Sequence, residues 1–144
     1  IAFVHSPVKN DFFTFHDCLT LEDFFVCSYD FDCSKIQTLE DLTKYRTLLL
    51  EKSSYSRKVL DANLLKYNIE LHPKFELASL DLLIEFAKKN MGIICVSKQY
   101  IKKELENKEL KIINLKEKLD LRAISLAYDK ENISNAAKRF VEFI

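Results

Sequence analysis

Residues 75–97, FELASLDLLIEFAKKNMGIICVS, constrain the fold more than any other stretch, because they read as strand, helix, strand. Residues 75–78 form a short apolar run, and Ser79 follows as a helix N-cap. Asp81 falls in the first turn, where the helix dipole favours an anion. Leu82, Leu83, Phe86 and Ala87 then recur at helical spacing, and Lys88 and Lys89 close the last turn. Asn90 is one of the few non-glycine residues that adopts the left-handed conformation ending a helix. Gly92, the only glycine in the chain, opens the run Ile93, Ile94, Cys95, Val96. A run apolar at every position suits a strand buried on both faces of a parallel sheet. Such sheets bind ligands beyond the carboxyl ends of their strands, where Ser79 and Ser97 stand.

The remaining segments follow the same alternation. Residues 1–4 are an expected strand ended by Ser6 and Pro7, and residues 8–15 a polar-aromatic connection. Residues 18–29 begin as an alternating strand and become a solid apolar run that enters the core. Thr38 caps a short helix with Asp41 at the capping-box position, and residues 47–50 form the next strand. Residues 51–54 turn into a long helix with Val59, Leu60, Leu64 and Leu65 on its inner face. After residue 97 a helix to about residue 106 and a strand at 110–113 are expected. RAISLAY, residues 122–128, alternates as a strand. Ser134 caps a last helix whose stripe is Ile133, Ala136, Ala137, Phe140, Val141 and Ile144. The order of elements is α/β.

Charge excludes some functions. Lys plus Arg and Asp plus Glu are both 22, so the formal net charge is zero. Phosphate contacts demand a basic face, which argues against direct nucleic-acid binding by this piece. The lysine-rich stretch 98–118 reads as a solvated face. No run is long and apolar enough to span a membrane. Cys18, Cys27, Cys33 and Cys95 form no CxxC pair and have no histidine at metal-ligand spacing. They read as thiols in a reducing cytoplasm, with a Cys18–Cys33 or Cys27–Cys33 disulfide as the alternative. His5, His16 and His72 fall in different segments, and a single glycine permits no Walker loop, GxGxxG or GxSxG. Neither a catalytic set, a metal nor a cofactor is expected.

Two serine-rich turns remain. Ser53 and Ser54 stand between a strand and a helix, and so does Ser79. Hydroxyls and unpaired N–H groups at helix starts make a carboxylate or oxyanion seat. The alternative is that each serine only caps its own helix, and both readings stay open on sequence alone.

Together these segments resemble the effector-binding domain of LysR-type transcriptional regulators. TLEDLTKYRTLLLEKSSYSRKVLD, ELASLDLLIEFAKKNMGIICVS and AISLAYDKENISNAAKRFVEFI carry the similarity, and IAFVHSP resembles the family's strand into its first hinge. The family's glycine-x-glycine is here Asn90-Met91-Gly92, and its frequent proline after the next strand is Ser97.

The resemblance implies a periplasmic-binding-protein-like (type 2) fold of two α/β subdomains with an effector in the cleft between them. Residues 8–121 would be the second subdomain, complete. Residues 1–7 and 122–144 would supply the two hinge strands and the C-terminal helix of a partial first subdomain. It implies that Ser53, Ser54 and Ser79 face a small effector, with His5 and Ser6 nearby; the helix starts themselves lead to the expectation that this effector is an anion. It further implies a homo-oligomeric, cytoplasmic regulator without catalysis or membrane contact, contacting DNA only through an N-terminal helix-turn-helix domain outside these 144 residues. The chain is accordingly expected to be an N-terminally truncated piece. The competing readings are a solute-binding protein of a transport system, which shares the fold and should carry a signal peptide, and a small α/β enzyme.

Overall fold

The computed structural model describes residues 1–6 and 10–143. Pro7 as a strand end and Ile144 in the last stripe lie outside the described residues, as does the side chain of Ser6. In chain order the strands and α-helices are β1 (Ala2–Ser6), β2 (Thr14–Leu21), β3 (Asp23–Ser28), β4 (Leu48–Leu50), α1 (Tyr55–Leu65), β5 (Phe75–Leu77), α2 (Leu80–Lys88), β6 (Ile94–Ser97), α3 (Lys102–Glu106), β7 (Leu110–Ile112), β8 (Arg122–Tyr128) and α4 (Asn135–Phe143). They divide into two compact units, one of Ile1–Glu22 with Leu121–Ile144, the other of Asp23–Asp120.

In the first unit β8 is the middle of a three-stranded antiparallel sheet, with β1 on one side and β2 on the other. The register sets Ala2 against Ala127 and Ser6 against Ala123, so the two segments expected as hinge strands lie side by side. β2 pairs with the other edge of β8, Thr14 against Tyr128 and Leu21 against Arg122. Its residues therefore belong to this unit, and the units divide at Glu22 and Asp120 rather than near residue 8. The apolar stretch 18–29 is accordingly two strands broken at Glu22, and they join different sheets. Ser134 caps α4 as expected, its Oγ accepting the Ala137 N–H at 3.2 Å. No residue of α4 is buried, and its Phe140 ring meets Phe3 edge-on at 6.4 Å.

In the second unit β3 lies between β6 and β7, antiparallel to both, while β4 and β5 run parallel. A parallel bridge between Thr47 and Ile93 links the start of β4 to the start of β6. The 93–96 run is thus buried on both faces, but its hydrogen-bonded neighbour β3 is antiparallel, which corrects the all-parallel expectation. Residues on the two faces feed two cores. Phe25, Cys27, Leu49 and Ile93 pack with Leu60 and Leu64 of α1, and Val26, Leu48, Ile94 and Val96 pack with Leu83, Ile84 and Ala87 of α2. Layers of helix on both sheet faces explain why apolar residues follow one another without alternation.

Local signals explain several boundaries. Asn90 has φ 57°, and the Met91 N–H returns to the Phe86 carbonyl at 3.0 Å to close α2. Thr38 and Asp41 form the reciprocal capping box, the Thr38 N–H donating to Asp41 at 3.1 Å and the Asp41 N–H to Thr38 Oγ1 at 3.3 Å. The helix it opens, Glu40–Lys44, is a 3-10 turn. The expected helix after residue 97 is likewise a 3-10 turn at Lys98–Tyr100 followed by the short α3. Gly92 serves close approach: a Cβ there would meet the Arg46 carbonyl oxygen at 2.9 Å and Leu48 Cγ at 3.0 Å. Leu60, Leu64, Leu83 and Ala87 are buried as their spacing predicts, but each stripe differs at one edge. Leu82 is 43% and Leu65 72% exposed, while Ile84, Arg57 and Asn63 are buried in their place.

Candidate functional site

β4 and β5 are paired with Leu50 opposite Leu77, and the Glu51 N–H extends the ladder to the Leu77 carbonyl at 3.0 Å. Because the strands are parallel, α1 and α2 both begin beyond the same edge of the sheet. The serines expected there have three different roles. Ser79 is a cap: its Oγ accepts the Leu82 N–H at 3.3 Å. Ser53 donates its hydroxyl to the Glu51 carboxylate at 2.6 Å. Ser54 is the N-cap of α1 by backbone conformation, with φ −62° and ψ 135°, yet its side chain makes no cap bond to the helix.

That difference separates two helix starts that look alike in sequence. At α2 the hydroxyl is spent and Asp81 already places an anion in the first turn. At α1 the first turn holds no acidic residue. Its ladder begins with the Lys58 N–H donating to the Ser54 carbonyl at 3.1 Å, so the Ser56 and Arg57 amides precede it. A helix dipole, unladdered amides and a hydroxyl that makes no cap bond are together the kind of donor set that suits an anionic oxygen.

Sequence reasoning missed the residue that fixes this turn. The Arg57 side chain is 3% exposed. One guanidinium nitrogen donates to the Leu50 carbonyl at 2.8 Å and lies 3.5 Å from the Glu76 carboxylate, while Nε donates to Asp61 at 2.9 Å. Arg57 thus ties α1 to the last residue of β4 and to β5, holding both ends of the 51–56 segment. The Asp61 spacing, four residues on, was the available signal. Also missed was the pair Asp23 and Ser97, opposite one another on β3 and β6, with Ser97 Oγ donating to Asp23 at 2.5 Å.

His5 and Ser6 lie in the first unit, on β1, where His5 faces Ile124 across the ladder. Burial first, and then the charge of Arg122, hold the His5 imidazole below its ordinary pKa. That unit also has a largely apolar cavity of about 540 Å³ lined by Val4, Phe13, Phe15, Ala127, Ile133 and Ala137, none of them an expected site residue.

None of the four cysteines is in a disulfide. Burial, and then the neighbouring Cys33 thiol, push Cys27 up to about 12. Among the described residues no group of three His, Cys, Asp or Glu side chains is placed to hold a metal ion, and no helix is long and apolar enough to cross a membrane.

The family model for the LysR substrate binding domain matches residues 1–144. No curated protein sequence matches the chain. Among solved structures, the CcmR regulatory domain of Synechocystis PCC6803 in complex with 2-PG is similar at TM-score 0.84 and 17% identity, over 98% of this chain and 69% of that one. The effector-binding domain of QuiR in complex with shikimate is similar at TM-score 0.78 and 22% identity, over 98% and 68%. Full-length HypT of Salmonella typhimurium, a hypochlorite-specific LysR-type transcriptional regulator, is similar at TM-score 0.77 and 18% identity, over 98% of this chain and 50% of that one. At these identities the likenesses show the fold, which is that of LysR effector-binding domains, periplasmic-binding-protein-like of type 2.

Proposed function

Because the chain belongs to the LysR substrate-binding domain family, we propose that it senses a small organic acid at the start of α1 and thereby controls DNA binding by a helix-turn-helix domain of the full-length protein. The observation that carries the seat is the Ser54 hydroxyl, which stands at an N-cap without bonding its own helix. The carboxylate rests on Ser54 Oγ and the Ser56 and Arg57 amides, with Lys52 one residue beyond Glu51 and exposed. Ser53 and Ser79 border this seat, and His5 and Ser6 are proposed effector contacts of the first unit. Two similar domains were solved with small ligands, 2-PG and shikimate, which supports a small-molecule effector here. The intact regulator is proposed to be a cytoplasmic homo-oligomer. Family and fold are those of regulatory effector-binding domains rather than of enzymes.

The test is calorimetric titration of small acids, shikimate among them, into the full-length protein and two variants. Ser54→Ala should weaken acid binding about tenfold or more, the value of one hydrogen bond to a charged group. Its effect on stability should be small, because no cap bond is lost. Ser79→Ala should instead cost about 1 kcal/mol of stability, the loss of a cap. Undiminished binding by Ser54→Ala places the seat elsewhere.

A further inference from the structure

Cys27, Cys33 and Cys95 share one core, and the first two touch. β3 ends at Ser28, and the Phe31 N–H turns back onto the Ser28 carbonyl at 3.1 Å. The Ile36 N–H then donates to the Cys33 carbonyl at 3.0 Å, so the chain doubles back on the strand it has just left. This packs Cys33 against the core that contains Cys27, and the two thiols hydrogen-bond sulfur to sulfur. They are not equivalent. Cys27 is 1% exposed, opposite Lys111 of β7, whereas Cys33 is half-buried and open to solvent on one side. Burial, and then the neighbouring Cys33 sulfur, keep the proton on Cys27. Cys95 lies opposite Phe25 on β6, and Cys18 belongs to the other unit.

We infer that Cys27 and Cys33 are an oxidisable dithiol, a modification site at which a small hydroperoxide joins them in a disulfide that ties the 29–33 turn to β3. Access makes Cys33 the attacking sulfur, since oxidant reaches a half-buried thiol before one sealed in a core. The Cys33 sulfur takes one peroxide oxygen and the O–O bond breaks. Its thiol proton ends on the leaving hydroxide, which departs as water and leaves a sulfenic acid. The Cys27 sulfur then attacks the Cys33 sulfur. The S–S bond forms, the S–O bond breaks, and the Cys27 proton leaves with the hydroxide as a second water. Two thiols have given two electrons to hydrogen peroxide, and a thiol reductant reverses the change by exchange. Cys27 is slow towards reagents from solution because it holds its proton, but a partner already in contact needs no encounter. In a reducing compartment a disulfide of this kind is transient, formed under oxidant and lost afterwards.

The experiment treats the reduced full-length protein with equimolar hydrogen peroxide, blocks remaining thiols with iodoacetamide under denaturing conditions, and digests it with chymotrypsin. That protease cuts after Tyr29 and Phe31, between the two cysteines. The Cys27 and Cys33 peptides should appear joined, lighter by two hydrogens than their sum, and should separate on dithiothreitol. Both thiols should be lost from the alkylated pool together. In Cys27→Ala, dimedone should trap a sulfenic acid at Cys33, whereas Cys33→Ser should leave Cys27 unoxidised. The wild-type peptide map decides alone if either variant does not fold. The inference is overturned if Cys33 is oxidised while Cys27 of the same protein stays a thiol, or if either is joined to Cys95 or Cys18 instead. It is equally overturned if both remain thiols under peroxide that oxidises free cysteine in the same buffer.

Discussion

Arg57→Met removes the guanidinium that ties α1 to β4 and β5 while keeping an apolar stem of similar reach. The lost partners are the Leu50 carbonyl at 2.8 Å, Asp61 at 2.9 Å and Glu76 at 3.5 Å. The two carboxylates are 46% and 37% exposed, so water takes over much of the arginine's role, and neither contributes at the level of a fully buried pair. The carbonyl bond inside the fold is the larger part. Together the loss should cost about 2 kcal/mol. For a domain of this size that lowers Tm by about 4–8 °C and the urea midpoint by about 1 M. Arg57→Lys should fall between, because one ammonium cannot reproduce the planar fork. Thermal and urea unfolding of the three proteins, followed by circular dichroism, gives the comparison. A cost below about 0.5 kcal/mol, the ordinary range for an exposed surface change, would refute the clamp.

The other expectations concern positions away from the seat. Gly92→Ala should destabilise by about 1–3 kcal/mol, as an overpacked site does, because its Cβ would press on the Arg46 carbonyl oxygen; an unchanged urea midpoint would contradict the close approach. The Lys44 ammonium first, then the Gln37 amide and the Thr38 hydroxyl, hold the Asp41 carboxyl far below the usual carboxylate range. Its stabilising contribution is therefore complete above the unfolded value of about 3.9 and is lost as pH falls through the folded value. The stability gap between wild type and Asp41→Asn should shrink on acidification below about pH 4, and a constant gap would count against it. Cys27, pushed up to about 12 by burial, should react with iodoacetamide near neutral pH well after the half-buried Cys18, measured by mass of labelled peptides; equal rates would contradict it.

The order of elements was largely legible because the cues were local. Ser79, Asp81 and Asn90 each mark a helix boundary by a local preference, and the structure bears out each one. β8 shows in the alternation of RAISLAY. What escaped depends on partners distant in sequence. The apolar run around Glu22 gives no sign that β2 will join β8 and β3 will join β6, since both pairings suit the same residues. The run 93–96 announces burial on both faces, but burial does not distinguish a parallel neighbour from an antiparallel one. At the site, Ser54 and Ser79 have the same pattern, and only side-chain direction shows that one hydroxyl is spent on its helix. Arg57 reads as a surface residue until the Leu50 carbonyl and Glu76 are brought beneath it. Asp23 and Ser97, 74 residues apart, meet only through the sheet.

The seat at α1 is tested most directly by crystallography of the full-length protein with the effector it retains on purification. The account predicts an acidic oxygen of that ligand within about 3 Å of Ser54 Oγ and of the Ser56 or Arg57 amide nitrogen. A ligand bound with its acid group elsewhere, and the Ser54 hydroxyl facing water, would contradict it.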